Sequence, residues 1–118
     1  MPKIMIVDDD TSMVKLLQTL LELDGFEVTA VIRGGDVLPK VQEVQPDLIM
    51  MDYHLTDMDG VDIIRDMRAD PTYDNLPIIV ASGLDVEDEV MDAGATRFIV
   101  KPFEPGDLPG MFNELIQG

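Results

Sequence analysis

Short apolar runs recur along the chain and predict its strands. Four of them are apolar throughout: residues 4–7, 48–51, 78–81 and 98–100. Uninterrupted runs of this length are typical of parallel strands that are buried on both faces. Between residues 26 and 30, apolar and polar positions alternate instead, with Phe26, Val28 and Ala30 apolar. That alternation predicts a half-buried strand at an edge of the sheet.

Between the predicted strands, apolar residues three or four positions apart predict helices. Asp10 or Thr11 can cap the first helix, and Gly25 can end it. The predicted inward face of this helix consists of Met13, Leu16, Leu17, Leu20 and Leu21. Further helices are predicted over residues 37–44, 60–69, 86–93 and 108–116. The helix over residues 86–93 is expected to be only about two turns long and among the more mobile parts of the fold.

Strands that alternate with helices indicate an α/β fold, in which one doubly wound parallel sheet is covered on both faces. Because the second strand has the pattern of an edge strand, the strand order 2-1-3-4-5 is favoured. A length of 118 residues suits one domain spanning residues 1–118. In such sheets, ligands bind at the carboxyl ends of the strands, near the first and third strands.

Composition narrows the classes of function. The chain carries 24 acidic and 8 basic residues and a net charge of −16, which argues against direct binding to nucleic acid or to a membrane surface. The excess acid either serves solubility or forms a face for a basic protein partner. There is no cysteine, so disulfides and thiolate chemistry are excluded. The sequence shows no signal peptide and no membrane-spanning run, so the cytoplasm is the expected compartment.

Polar residues stand where the predicted strands end. Asp8 and Asp9 follow residue 7, Asp52 follows residue 51, Ser82 follows residue 81 and Lys101 follows residue 100. Because the carboxyl ends of parallel strands lie at one edge of a sheet, these side chains are expected to converge. Asp52 alone could equally be a helix N-cap. The matching set at four strand ends favours a reactive site.

The expected cluster has a chemical logic. Neighbouring carboxylates repel one another by about 3 kcal/mol per pair at an effective dielectric near 20. A divalent cation relieves this repulsion, and an all-oxygen ligand set favours Mg²⁺. Ser82 and Lys101 could contact a phosphoryl group held beside the cation. Asp52, at the end of the central strand, is best placed to be a nucleophile that forms an aspartyl phosphate.

Five segments together resemble the receiver domains of response regulators, the CheY-like superfamily of two-component signalling. They are residues 6–10 (IVDDD), 46–52 (PDLIMMD), 58–60 (MDG), 77–83 (PIIVASG) and 94–103 (GATRFIVKPF). The resemblance covers nearly the whole chain and implies a flavodoxin-like (βα)5 fold. It also implies a phospho-acceptor switch, in which Asp52 receives phosphate from a histidine kinase or a phosphotransfer protein. By the same resemblance, the domain performs only Mg²⁺-dependent self-phosphorylation and self-dephosphorylation and is not otherwise an enzyme.

Individual roles follow from the same resemblance. Asp8 and Asp9 would hold Mg²⁺ together with Asp52 and the backbone carbonyl of His54. The side chain of His54 is expected to be exposed. These assignments imply an all-oxygen metal site at the sheet edge.

The resemblance also implies a switch. Ser82 would close onto the phosphoryl group, and Phe98 would swing inward behind it. Lys101 would pair with the phosphoryl group or with Asp52, ahead of a peptide bond to Pro102 that is usually cis in the family. The chain is expected to be a monomer or a weak dimer.

The sequence departs from the family pattern at several positions. Phe98 stands where tyrosine is commoner, Thr56 where proline is usual, and Gly83 where alanine is usual. The span from Ser82 to Lys101 is about three residues shorter than expected, which predicts a fourth helix shortened by most of one turn. The substitution at Thr56 bears on the rigidity of the loop after Asp52.

Two alternative functions remain open on the sequence. One is a haloacid-dehalogenase-like phosphatase that uses Asp8 as nucleophile and Asp10 as acid. The chain lacks the cap domain and the acidic pair after Lys101 that such a phosphatase requires. The other is a degenerate receiver that acts only as a docking module, against which the complete set of Asp9, Asp52, Ser82 and Lys101 argues.

Overall fold

The computed structural model describes residues 1–117 of the chain. Its strands are β1 (Lys3–Val7), β2 (Glu27–Val31), β3 (Leu48–Asp52), β4 (Ile78–Ser82) and β5 (Arg97–Val100). The α-helices between and after them are α1 (Thr11–Leu23), α2 (Val37–Val44), α3 (Gly60–Arg68), α4 (Glu87–Ala93) and α5 (Leu108–Gln117). Single turns of 3₁₀ helix lie at Gly34–Asp36, Pro71–Tyr73 and Pro105–Asp107. In this described part of the chain, no helix is long and apolar enough to cross a membrane.

The strands form one sheet in the order β2-β1-β3-β4-β5, and every neighbouring pair is parallel, which confirms the predicted topology. Because successive side chains of a strand point to opposite faces, alternate residues of β3 enter two separate cores. Ile49 and Met51 pack with residues of α2, α3 and α4. Leu48 and Met50 pack with residues of α1 and α5. The central strand is therefore covered on both sides up to the residue before Asp52.

The ends of α1 follow the sequence signals. Asp10 is the N-cap, and its carboxylate accepts hydrogen bonds from the backbone amides of Ser12 and Met13, both at 3.1 Å. Gly25 lies just beyond the helix with φ of 90°, a conformation that favours glycine. Both expected boundaries are confirmed.

The inward face of α1 differs from the prediction. Leu16 and Leu20 are 49% and 37% exposed, and Val14 is buried in their place, together with Leu17 and Leu21. The spacing of three and four residues between the buried positions defines a narrow stripe. The predicted leucine-rich face was wider than the surface that the sheet offers to one helix.

Two strand predictions also need correction. The last strand was predicted to be buried on both faces, but Phe98 is only partly buried and Val100 is 61% exposed. The reason is that β5 is an edge strand with β4 as its neighbour in the sheet. In β2, Ala30 is exposed although Val28 and Val31 are buried, because α1 leaves a groove over that end of the strand.

Helix α4 is short, as the sequence predicts. It has seven residues, which is about two turns, and its buried positions are Val90 and Ala93. It ends at Gly94, whose φ is 118°. Val86 precedes the helix without a side-chain cap, and its first turn consists of the exposed residues Glu87, Asp88 and Glu89.

Candidate functional site

The polar residues at the strand ends converge at one edge of the sheet. Asp8 follows β1, Asp52 ends β3, Ser82 ends β4 and Lys101 follows β5. The carboxylates of Asp8, Asp9 and Asp52 each offer an oxygen, and these oxygens lie within 4.8 Å of one another. The convergence that the strand pattern predicts is therefore present.

The lysine joins two of the carboxylates. Lys101 Nζ lies 3.3 Å from Asp8 Oδ2 and 3.2 Å from Asp52 Oδ1. Asp8 is buried, and its Oδ1 also accepts a hydrogen bond from the amide of Asp10 at 3.0 Å. One ammonium group thus faces three carboxylates, so the site keeps an excess of negative charge.

Burial and neighbouring charges set the pKa values at this site. Burial raises the pKa of Asp52, and the attraction of Lys101 only partly offsets that rise, while the negative charge of Asp8 adds to it. Burial alone would lower the pKa of Lys101, but the carboxylates of Asp8 and Asp52 outweigh burial, and the pKa is raised. Lys101 is therefore charged at neutral pH.

Ser82 and Phe98 lie on the neighbouring strands. Ser82 is 5% exposed, and its hydroxyl oxygen accepts a hydrogen bond from the amide of Leu84 at 3.0 Å. Its carbonyl accepts the amide of Lys101 at 2.9 Å, which ties β4 to the residue after β5. Phe98 stands opposite Val80 in the register of β4 and β5 and packs against the core on one side.

The glycine of the MDG segment has a structural reason that sequence reasoning missed. A Cβ added to Gly60 would lie 2.8 Å from the backbone oxygen of Asp52, closer than such contacts occur. The Gly60 amide donates to the carbonyl of Tyr53 at 2.6 Å. Helix α3 can therefore begin directly against the end of β3 only if residue 60 is glycine.

His54 lies in the loop between β3 and α3. Its side chain is 79% exposed, as expected, and its Nδ1 lies 2.8 Å from Asp59 Oδ1. The assignment of its backbone carbonyl to a metal stays a prediction. The expected cis peptide bond between Lys101 and Pro102 is present.

Three side-chain contacts around the site had no signal in the sequence patterns. Thr56 Oγ1 donates to Asp9 Oδ2 at 2.5 Å. The carboxylate of Asp57 accepts two backbone amides from the loop after β2. Tyr53 donates its hydroxyl to Glu89 of α4 at 2.7 Å, and this bond raises the pKa of Tyr53 to about 12.

The chemistry of the donor set fits Mg²⁺. Asp8, Asp9 and Asp52 supply hard carboxylate oxygens, which this ion prefers. No cysteine occurs in the chain that would favour a softer metal. The single ammonium of Lys101 leaves negative charge that a divalent cation would neutralise.

Comparison with known proteins identifies this arrangement. The sequence model of the family described as "Response regulator receiver domain" matches residues 4–113. The chain belongs to this family. Receiver domains of two-component systems are signalling proteins rather than conventional enzymes, and the family typically uses Mg²⁺.

Among curated proteins, the phosphate regulon transcriptional regulatory protein PhoB of Rhizobium meliloti is 35% identical over 111 residues, which are 92% of this chain and 49% of PhoB. The DNA-binding response regulator MtrA of Mycolicibacterium paratuberculosis is 36% identical over 109 residues, 90% of this chain and 47% of MtrA. The chain thus spans about half the length of the curated relatives it matches.

Solved structures have the same fold. The chemotaxis response regulator CheY4 of Vibrio cholerae superposes with a TM-score of 0.90 at 28% identity, covering 98% of both chains. The signal receiver domain of a signal transduction histidine kinase from Syntrophus aciditrophicus gives a TM-score of 0.90 at 27% identity, covering 100% of this chain and 92% of the other. These likenesses confirm the flavodoxin-like, CheY-like architecture predicted from the sequence.

Proposed function

We propose that this receiver domain is a phospho-acceptor switch in which Asp52 takes a phosphoryl group from a histidine of a kinase or of a phosphotransfer protein. The observation that carries the proposal is the position of Asp52. It ends the central strand, lies 3.2 Å from Lys101 and shares the sheet edge with the carboxylates of Asp8 and Asp9.

In the transfer step, a carboxylate oxygen of Asp52 attacks the phosphorus of the phosphohistidine. The bond between phosphorus and the imidazole nitrogen breaks, and its electron pair returns to the ring. A mixed anhydride between phosphate and the Asp52 carboxyl group forms. The pKa of Asp52 is raised because its buried surroundings stabilise the carboxylate poorly. The ionised Asp52 is therefore expected to be more nucleophilic than an ordinary aspartate carboxylate.

Other residues of the chain hold the transferred group. The ammonium of Lys101 pairs with its negative charge, and the hydroxyl of Ser82 donates to one of its oxygens. Asp8, Asp9 and Asp52, with the carbonyl of His54, would hold Mg²⁺, which would supply electrostatic stabilisation of the phosphoryl oxygens. Water can later attack the phosphorus and release inorganic phosphate, which returns Asp52 to a free carboxylate.

The same hydroxyl connects phosphorylation to shape. Ser82 Oγ now accepts the Leu84 amide, at the start of the loop that leads to α4. Donation to a phosphoryl oxygen would draw this loop toward Asp52. Phe98, which is only partly buried beside β4, can then move inward. The altered face would be read by a downstream protein, and the charge of −16 favours one with a basic surface.

In this structure Asp10 is not placed to act as the general acid that the phosphatase alternative requires. That alternative requires Asp10 near the reacting group, but the Asp10 carboxylate is exposed and caps α1 through Ser12 and Met13. A docking-only role is disfavoured because Asp9, Asp52, Ser82 and Lys101 are all in place at the sheet edge.

The test uses acetyl phosphate and Mg²⁺ on the purified domain. We expect one phosphate per chain by intact mass, cleaved by alkali or hydroxylamine as an acyl phosphate is, and mapped to Asp52 after reductive trapping. Asp52→Asn should abolish it, whereas Asp66→Asn, a matched change at an exposed position of α3, should not. Phosphate on Asp8, or continued hydrolysis of a generic phosphate ester, would overturn the proposal and support the phosphatase. Ser82→Ala should retain the phosphate on Asp52 but lose the movement of Phe98, measured by ¹H–¹³C NMR of its ring.

A further inference from the structure

The loop between β3 and α3 is tied to two other loops at the sheet edge. Thr56 Oγ1 donates to Asp9 Oδ2 at 2.5 Å, across a separation of 47 residues in the chain. The next residue, Asp57, accepts the amides of Gly34 and Gly35 at 2.8 and 2.9 Å. The loop therefore spans from the acidic site to the loop after β2.

The Asp57 contact is well defined. Its carboxylate receives both amides, and these hydrogen bonds hold the pKa of Asp57 below its usual range. A Cβ added to Gly34 would lie 2.3 Å from the Cγ of Met58, so a larger residue at position 34 would have to displace the Met58 side chain. Leu55 of the same loop is 2% exposed. The backbone around Thr56 is thus fixed on both sides.

The three carboxylates of the site are held to different degrees. Asp8 is buried and contacts both Lys101 and the amide of Asp10. Asp52 contacts Lys101. Asp9 is less buried than Asp8, and within residues 1–117 the side chain that hydrogen-bonds its carboxylate is that of Thr56. Without this bond, the side chain of Asp9 would be the freest of the set.

We propose that Thr56 is a positioning residue for metal binding, which holds one oxygen of Asp9 so that the other is presented to the cation. Asp57 fixes the loop that carries Thr56. The inference rests on the proposed function, since it assigns Asp9 to the Mg²⁺ site. Thr56 occupies the position where the family usually has proline. In this chain its hydroxyl would order Asp9, a metal ligand, directly.

The experiment measures the Mg²⁺ dissociation constant of the folded domain by isothermal titration calorimetry. Thr56→Val keeps the shape of the side chain and the net charge but removes the hydroxyl. We expect it to weaken Mg²⁺ binding by about fivefold, since one more side chain must be ordered on binding. Thr56→Ser should restore the affinity. Thr19→Val is the matched control, because Thr19 is exposed on α1 and its hydroxyl bonds only the Lys15 carbonyl at 2.9 Å.

A second pair of variants, at Asp57 and Asp70, tests whether Asp57 fixes the loop that carries Thr56. Asp57→Ala should weaken Mg²⁺ binding and speed amide hydrogen exchange over residues 54–59. Asp70→Ala removes an equal charge from another exposed aspartate that accepts a backbone amide, that of Thr72 at 3.0 Å, and should do neither.

The outcomes separate this inference from the proposed function. Equal or tighter binding by Thr56→Val, while Asp52→Asn still loses affinity, would overturn the positioning role alone. Tighter binding in particular would mean that the hydroxyl competes with the ion for Asp9. No Mg²⁺ binding by the unaltered domain would overturn the metal site of the proposed function and this inference with it.

Discussion

Asp52→Asn should make the metal-free domain more stable while removing most of its stabilisation by Mg²⁺. The substitution keeps the size of the side chain and removes one negative charge from the cluster of Asp8, Asp9 and Asp52. Because these carboxylates face a single ammonium, that of Lys101, the charge of Asp52 opposes folding unless a cation is bound.

The magnitude follows from the distances. Carboxylate oxygens within 4.8 Å of each other repel by about 3.5 kcal/mol per pair at an effective dielectric of about 20. The attraction of Asp52 to Lys101 at 3.2 Å is about 5 kcal/mol on the same scale. Two repulsions therefore exceed one attraction by about 2 kcal/mol, and the cost of burying the carboxylate adds to the difference. For a domain of this length, about 2 kcal/mol corresponds to a rise of about 8 °C in melting temperature.

The assay is thermal unfolding followed by circular dichroism, with EDTA and then with millimolar Mg²⁺. The unaltered domain should gain about 2.7 kcal/mol at a Mg²⁺ concentration 100 times its dissociation constant. Asp52→Asn should start about 8 °C higher in EDTA and gain little from Mg²⁺. Asp66→Asn, on the exposed face of α3, should melt like the unaltered protein in both conditions.

The pH dependence has a definite sign. Burial raises the pKa of Asp52 above its ordinary value of 3.8, so its protonated form is favoured by folding. The destabilisation caused by its charge is absent below pH 3.8 and complete above the raised pKa. The advantage of Asp52→Asn should therefore be present at pH 7 and vanish as the pH falls through that interval. Coincident melts of the two proteins in EDTA at pH 7, or a less stable variant, would refute the electrostatic account.

Three further predictions concern other parts of the fold. Lys101→Met should lower the melting temperature at pH 7. The difference from the unaltered domain should vanish as the pH rises through the raised pKa of Lys101, because above that pKa the lysine is neutral as well. Arg68→Lys should cost about 1–3 kcal/mol in urea unfolding, because the guanidinium donates to the carbonyls of both Gly94 and Tyr73; an unchanged midpoint would contradict this. Residues 84–93 should exchange amide hydrogens faster than the central strands in the unphosphorylated domain, and equal protection would show that α4 is not mobile.

The sequence predicts the sheet and the strand-end residues because both depend on local patterns. An uninterrupted apolar run such as residues 48–51 can be buried only between two layers of helices. Once the strands are parallel, whatever follows each of them must lie at the same edge. Asp52, Ser82 and Lys101 were therefore placed correctly without any knowledge of distances.

What the sequence could not predict depends on the shape of surfaces. The choice between Val14 and Leu16 as the buried residue of α1 is decided by how the helix is rotated on the sheet, and both residues fit an amphipathic pattern. Likewise, the predicted order 2-1-3-4-5 already places the last strand at an edge of the sheet, but an apolar residue such as Val100 carries no signal that it will be 61% exposed there. The contact of Thr56 with Asp9 joins residues 47 positions apart, and no periodic pattern reports such a pair.

The charge imbalance at the sheet edge connects stability to signalling. In the proposed reaction, phosphorylation exchanges the single negative charge of Asp52 for a phosphoryl group that carries about one more. Together, a divalent cation and the ammonium 3.2 Å from Asp52 would balance the three carboxylates before the transfer, so the charge that the transfer adds has no counterpart. Additional donors must approach the phosphoryl group, and Ser82 is the hydroxyl at the end of the adjacent strand. In the proposed mechanism, this added negative charge would therefore draw the hydroxyl of Ser82, and with it the loop leading to α4, toward Asp52.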